Sequence, residues 1–216
     1  MIQADHKKWA RFVFNIYLKR LLKKSFYDFR IINELPEFNS SKSIVVTPNH
    51  FSWWDGFFIY WVNKKLFNRK LYVLMLEEQL KRYWFFKKLG CYSIDLNDNR
   101  KMIASLKYTV DLLLNSNNFI TIYPQGEIQS YEQRPVELRD GIDFLAKKSK
   151  TDFQIIPVAF KIHYANERLP IVYARFGKLL NSKDAAENPQ LFKDEFINNR
   201  DLINSEYSAS NFKSIL

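Results

Sequence analysis

The stretch Asn49-His50-Phe51-Ser52-Trp53-Trp54-Asp55 lies between two apolar runs, Ser43–Pro48 before it and Gly56–Val62 after it. This arrangement predicts a strand, a turn that holds His50, and a helix that begins near Asp55. A histidine and a carboxylate five positions apart can face each other across such a turn, and such a pair can take a proton from a hydroxyl group. The alternative interpretation is a turn histidine with satisfied hydrogen bonds and an aspartate that only caps the helix.

Apolar runs alternate with helical patterns along the rest of the chain. Short buried strands are predicted at Ser43–Thr47, Leu71–Leu76, Cys91–Ile94, Phe119–Tyr123, Phe153–Phe160 and Ile171–Phe176. We therefore expect a single α/β domain with a largely parallel central sheet flanked by helices. In such a sheet the site lies beyond the carboxyl ends of the strands. His50 follows the first predicted strand and Pro124-Gln125-Gly126-Glu127 follows the fourth, so both loops should meet at one edge.

The overall charge indicates an anionic partner. The chain has 216 residues and a formal net charge of +10, and 17% of its residues are aromatic. Nucleic acid, an anionic bilayer and a phosphorylated substrate all fit that charge. Nucleic acid ranks last and is not expected as a partner, because the basic residues are spread along the chain without a stacking motif or recognition helix.

The cysteine and histidine content argues against disulfides and bound metal. Cys91 is the only cysteine, and His6, His50 and His163 are too scattered to suggest a zinc site. No apolar run approaches the roughly 20 residues that a spanning helix needs, and the first residues do not resemble a signal peptide. These features predict a cytoplasmic protein that binds peripherally to the inner face of the cell membrane.

Residues 1–35 are predicted to form an N-terminal amphipathic helical segment, and residues 36–216 the α/β domain. Within the segment, residues 7–30 are expected to be helical, with apolar side chains at helical spacing at Trp9, Phe12, Val13, Ile16, Tyr17 and Leu21. Lys8, Arg11 and Lys19 lie on the other side. Two interpretations stay open: a helix packed on the core with a solvated basic face, or an interfacial anchor that associates with membrane lipids.

The stretch at Asn49–Asp55 resembles the N-H-x-S-x-x-D motif of the glycerolipid and lysophospholipid acyltransferase family. That family includes the bacterial 1-acyl-glycerol-3-phosphate acyltransferases. Three later blocks agree in order and spacing: Gly90–Asp95, Ile122–Glu127 and Ile156–Val158. The resemblance covers about residues 40–176.

The resemblance implies an O-acyltransferase with His50 and Asp55 as its catalytic H-x-x-x-x-D pair. The enzyme would move a fatty acyl group to a hydroxyl of a lipid acceptor: a lysophospholipid, a glycolipid or another lipid-linked alcohol. Acyl-CoA or acyl-carrier protein would be the co-substrate, and neither a cofactor nor a metal would be required. Substrate-binding roles are implied for Asn49 and Ser52 in the first block and for Pro124, Gln125, Gly126 and Glu127 in the third.

The third block departs from the pattern of relatives that act on glycerol phosphate. Those relatives have a Glu in the third block, and arginines in the second and third that bind phosphate. This chain has Gln125 for the Glu, Glu127 for a Thr, Ile128 for an Arg and Leu96 for an Arg. Losing a guanidinium removes a bidentate phosphate partner, which argues against lysophosphatidic acid as the acceptor.

Two downstream arginines are candidates to replace the lost cations. Arg134 and Arg139 lie close to the third block in sequence, and a solvated loop face is the other interpretation for them. The variant block is also similar to a branch of the family thought to acylate glycosylated carotenoids or other lipid-linked hydroxyls. A non-catalytic lipid-binding protein on the same fold is the alternative function.

Overall fold

The computed structural model of the protein describes residues 1–207 and 212–216. The helices are α1 (Lys8–Ser25), α2 (Asp55–Val62), α3 (Glu77–Arg82), α4 (Asn99–Leu112), α5 (Gly141–Lys148), α6 (Ser182–Glu187) and α7 (Pro189–Glu206), with a π-helical turn at Asn63–Phe67 and a 3₁₀ helix at Trp84–Leu89. The strands are β1 (Asp28–Ile31), β2 (Ile44–Pro48), β3 (Lys70–Leu76), β4 (Cys91–Ile94), β5 (Asn118–Thr121), β6 (Gln154–His163), β7 (Ile171–Phe176), β8 (Leu180–Asn181) and β9 (Lys213–Ser214).

The described strands form one mixed sheet in the order β4-β3-β5-β2-β6-β7-β1-β9, with β8 paired to β6. The pairings from β4 through β6 are all parallel, whereas β7 runs antiparallel to β6. All five residues of β2 are buried, as expected for a central strand covered on both faces. The predicted single α/β domain with a largely parallel sheet is confirmed.

Helices cover both faces of this sheet. The α2 face carries α1, α2 and the 3₁₀ helix, whose side chains form one apolar core with the sheet. The α5 face carries α5, α6 and α7, which form a second core. Side chains alternate along a strand, so Leu71 and Val73 of β3 pack on the α2 face, while Tyr72 and Leu74 pack on the α5 face.

The N-terminal helix is shorter than predicted, and the structure shows which of its sides packs on the core. It ends at Ser25, and residues 28–31, predicted to be helical, form β1 and pair with β7. The side that faces the core is Ala10, Phe14, Leu18 and Leu22. The apolar stripe identified in the sequence is largely exposed, at Trp9, Phe12, Val13, Ile16 and Tyr17. The helix therefore has two apolar sides, of which the core covers only one.

At the end of the chain, the sequence predicts a polar helix over residues 187–214 with a weak stretch at 205–210. In the structure, α7 ends at Glu206 and residues 213–214 form β9 against β1. The weak stretch lies partly outside the described residues. Among the helices that are described, none combines the length and hydropathy needed to cross a bilayer.

Candidate active site

His50 and Asp55 meet at the carboxyl end of β2, as their spacing predicts. β2 ends at Pro48, and Asp55 is the first residue of α2, so the loop between them turns His50 back toward the helix. Its Nδ1 lies 2.9 Å from Asp55 Oδ2. With Asp55 ionised, Nδ1 carries the proton that is shared in this bond, and Nε2 is the nitrogen left to accept another.

The Asp55 carboxylate is fully buried, with 0% of its surface exposed. Its Oδ2 also accepts hydrogen bonds from the backbone N–H groups of Phe51 and Ser52, at 2.8 and 2.9 Å. Its Oδ1 accepts one from Ser52 Oγ, at 2.7 Å. Buried charges persist in proteins only when they are compensated in this way. The carboxylate is thus held in one orientation, and it holds the imidazole in turn.

Tyr123 is a neighbour of His50 that the sequence analysis did not single out. Its ring lies 4.3 Å from the imidazole ring, centroid to centroid, at 31°. Burial raises the pKa of the Tyr123 phenol well above its usual value, and its hydroxyl is buried without a partner among the described residues. The Tyr123 ring therefore packs against one face of the His50 imidazole. Its position directly before Pro124, in the third block, was the available indication in the sequence.

The loop after β5 is tied to the backbone of His50. Gln125 Oε1 accepts a hydrogen bond from His50 N–H, and its Nε2 donates to the Gln129 side chain at 3.0 Å. Gln129 N–H donates to His50 O at 3.0 Å. Gln125 is buried, and its amide is occupied by these contacts. The structure therefore places Gln125 behind His50, outside the cavity wall, and its predicted contact with the acceptor stays a prediction.

Asn49 and Ser52 also support the pair from outside the cavity. The Asn49 amide donates to Phe160 O at 3.0 Å and accepts from Phe160 N at 2.7 Å. These bonds fasten the end of β2 to β6. Ser52 bonds to Asp55, as described above. Neither side chain lines the cavity beside His50, and their predicted substrate-binding roles stay predictions.

A cavity of about 1060 Å³ opens beside His50. The side chain of His50 is 24% exposed, and most of the cavity wall is apolar. Of the aromatic residues around the motif, Trp53 and Phe57 line the cavity, whereas Phe58 and Trp61 are buried in the core. Cys91 also lines it, and burial raises the pKa of its thiol to about 12, which disfavours the reactive thiolate.

Four residues predicted to bind substrate lie on the wall of this cavity: Pro124, Gly126, Glu127 and Arg139. Gly126 has φ +78°, and a Cβ there would lie 2.2 Å from Arg139 Nε. A side chain at this position would therefore displace the guanidinium. Within the described residues, no carboxylate lies within ion-pairing distance of Arg139.

Arg134 lies elsewhere. Its Nη2 is 2.6 Å from Asp201 Oδ1 on α7, its Nη1 donates to the backbone oxygens of Tyr131 and Gln133, and the residue is exposed. The structure does not bring Arg134 to the cavity. In residues 1–207 and 212–216, no group of three or more His, Cys, Asp or Glu side chains is placed to hold a metal ion.

Comparisons with known proteins agree with this geometry. The family model described as Acyltransferase matches residues 28–161. Among solved structures, the chain is similar to the 1-acyl-sn-glycerophosphate acyltransferase PlsC from Thermotoga maritima, with a TM-score of 0.63 and 17% sequence identity. That match covers 91% of this chain and 79% of the other, and at this identity it shows a shared fold. No protein of curated function matches the sequence.

Proposed function

Because the chain belongs to the acyltransferase family, we propose that it transfers a fatty acyl group from acyl-CoA or acyl-carrier protein to a hydroxyl group of a lipid acceptor. The observation that carries this proposal is the His50–Asp55 pair, which lies at the wall of a large apolar cavity. His50 acts as the general base, Asp55 positions it, and the cavity receives hydrocarbon. The activity is an O-acyltransferase reaction similar to that of 1-acyl-glycerol-3-phosphate acyltransferases.

The reaction follows from the two nitrogens of His50. The acceptor hydroxyl gives its proton to Nε2 while its oxygen attacks the carbonyl carbon of the thioester. The resulting imidazolium is stabilised by the buried Asp55 carboxylate, 2.9 Å from Nδ1. The tetrahedral intermediate then collapses: the C–S bond breaks, and Nε2 returns the proton to the departing sulfur. The products are an ester and a free thiol.

The cavity supplies binding energy for the acyl chain. Each buried methylene contributes about 0.8 kcal/mol, so a long chain is held firmly without any polar contact. Phe57, Val73 and Phe86 are among the apolar residues on the wall. Pockets of this kind use a few polar groups only to orient the ligand, and here those groups are His50 and the loop after β5.

Acceptor binding is assigned to the mouth of the cavity. Ile128, which stands where phosphate-binding relatives have an arginine, is 56% exposed and lines the cavity. Arg139 lines it too, and its guanidinium lacks a carboxylate partner in the described part of the chain. We propose that Arg139 binds an anionic or hydroxyl-rich head group. Gly126 lies beside Arg139, and Glu127 lines the same cavity.

The enzyme is proposed to act on the cytoplasmic surface of the cell membrane. The exposed apolar side of α1 carries Trp9 and Phe12. A groove beside it, lined by Lys19, Arg20, Lys23 and Lys64 among others, presents positive charge. Lys64 has a lowered pKa, because burial and neighbouring cations disfavour its charge. Aromatic residues entering the headgroup zone, with lysines facing lipid phosphates, are typical of interfacial helices.

The test is an assay of free-thiol release from acyl-CoA and from acyl-carrier protein, with extracted membrane lipid as acceptor. His50→Ala should abolish release, whereas the control His163→Ala should retain it, because His163 does not line the cavity. Undiminished release in His50→Ala would refute the mechanism.

A non-catalytic lipid-binding protein is the second candidate, favoured by the altered third block at Gln125 and Ile128. It predicts that the wild-type protein binds liposomes but releases no thiol with any acceptor in the extract. Product analysis by mass spectrometry of lipids from cells with and without the protein distinguishes the two functions, because only an enzyme creates a new acylated species.

A further inference from the structure

The cavity beside His50 extends to both faces of the sheet. On β3, Leu71 and Val73 point to the α2 face and Leu74 to the α5 face, and all three line the cavity. Directly after β5, Ile122 packs on the α5 face and Tyr123 on the α2 face, and both line the cavity. Because successive side chains of a strand point to opposite faces, one cavity can touch both sets only by passing around the carboxyl ends of these strands.

Each face contributes its own apolar wall. The arm on the α2 face, which we call the α2 arm, is lined by Phe14, Phe57, Phe86 and Leu89. The arm on the α5 face, the α5 arm, is lined by Ile142 and Phe144 of α5. Met102 and Leu106 of α4, a helix that contacts α5, also line the cavity. His50 follows β2, so it lies at the edge around which the two arms join.

We infer that the cavity holds two hydrocarbon chains at once, one in each arm, so that the chain of the lipid acceptor is bound inside the protein together with the acyl chain of the thioester. The identity of the two chains, one from the thioester and one from the acceptor, rests on the proposed function. A volume of about 1060 Å³ lies just above the roughly 300–1,000 Å³ typical of a site for a single drug-sized ligand. A substrate with one chain leaves one arm without a ligand.

Two glycines make the inference testable, because each lies in the first turn of a helix at the cavity wall. Gly56 is in α2 and Gly141 is in α5, and both line the cavity. A Cβ built at either position meets no atom within 4 Å. Gly56→Phe and Gly141→Phe should therefore fill the α2 arm and the α5 arm respectively, and leave the fold intact. Thermal unfolding of each variant checks this.

The first experiment is native mass spectrometry with hexadecanoate, which cannot be transferred and so reports binding alone. The wild-type protein should bind two molecules, each single variant one, and the double variant none. Each methylene that loses its contacts weakens binding by about 4-fold, so blocking an arm should lower its affinity by more than about 100-fold. A wild-type stoichiometry of one, or a double variant that still binds two, would overturn the inference.

The second experiment measures turnover with a series of acyl-CoA chain lengths and a series of lysolipid chain lengths. One variant should shift the preference toward shorter donors and the other toward shorter acceptors. If both variants shift the same substrate, the cavity holds one bent chain and the inference is wrong. A protein that binds two hexadecanoate molecules but releases no thiol would support the two-chain site and refute the proposed function. A protein that releases thiol but binds only one hexadecanoate molecule would support the proposed function and refute the two-chain site.

Discussion

Replacing Asp55 with asparagine tests the charge of the pair while keeping its shape. The asparagine oxygen can still accept from the backbone N–H groups of Phe51 and Ser52, which now donate to Oδ2. What is lost is the negative charge 2.9 Å from His50 Nδ1. At an effective dielectric constant of about 20, opposite charges about 4 Å apart attract by about 4 kcal/mol. Since that attraction exists only once His50 is protonated, it should appear as about a 10³-fold loss of kcat.

The assay is thiol release from acyl-CoA, with thermal unfolding measured on the same preparations. Asp55→Asn should unfold within about 2 kcal/mol of the wild-type protein, so its loss of rate is not a loss of fold. Ser52→Ala is the matched control, because it removes one hydrogen bond to Oδ1 but leaves the charge beside His50. An Asp55→Asn enzyme that retains its stability and loses less than about 10-fold, below the usual contribution of a general base, would refute the assigned role of the carboxylate.

Gln125→Glu should lower stability by about 1–3 kcal/mol, because a carboxylate oxygen would face the oxygens of Gln129 and His50. It should also reduce kcat with little change in KM. Urea unfolding measures the stability, and steady-state kinetics measures kcat and KM. His6→Leu should flatten the loss of stability in acid. Burial lowers the pKa of His6 from 6.5 to about 4, so below pH 6.5 the unfolded chain binds a proton that the folded protein excludes until about pH 4; urea unfolding at several pH values checks this. Phe12→Glu should weaken binding to anionic vesicles at least about 10-fold, measured by vesicle flotation.

The centre of the fold could be predicted because its physical causes are local. The Ile-Val-Val run of β2 is apolar on both faces, as a central strand of a parallel sheet must be. Once the strands are parallel, the loops after β2 and β5 have to share an edge, since the two strands are neighbours in register, with Val46 opposite Thr121. The meeting of His50 with the third block therefore follows from topology alone.

The orientation of α1 could not be predicted in the same way. Its sequence has apolar residues on two sides, one through Phe14, Leu18 and Leu22 and one through Trp9, Phe12 and Tyr17. Helical spacing identifies both sides equally. Which one packs inward depends on the shape of the surface it meets, and Phe14 fits edge-on against Tyr60, 4.9 Å between ring centroids. That information lies in residues far away in the sequence.

The third block shows why a motif position does not by itself reveal a role. Gln125 differs from the glutamate of related enzymes, and from the sequence alone the difference predicts a change in acceptor binding. In the structure its amide both accepts from His50 N–H and donates to Gln129, and a carboxylate could only accept. The glutamine is therefore matched to its own neighbour within this chain. The replacements that do line the cavity are Leu96, Glu127 and Ile128, and we expect these residues, together with Arg139, to set which acceptor the site binds.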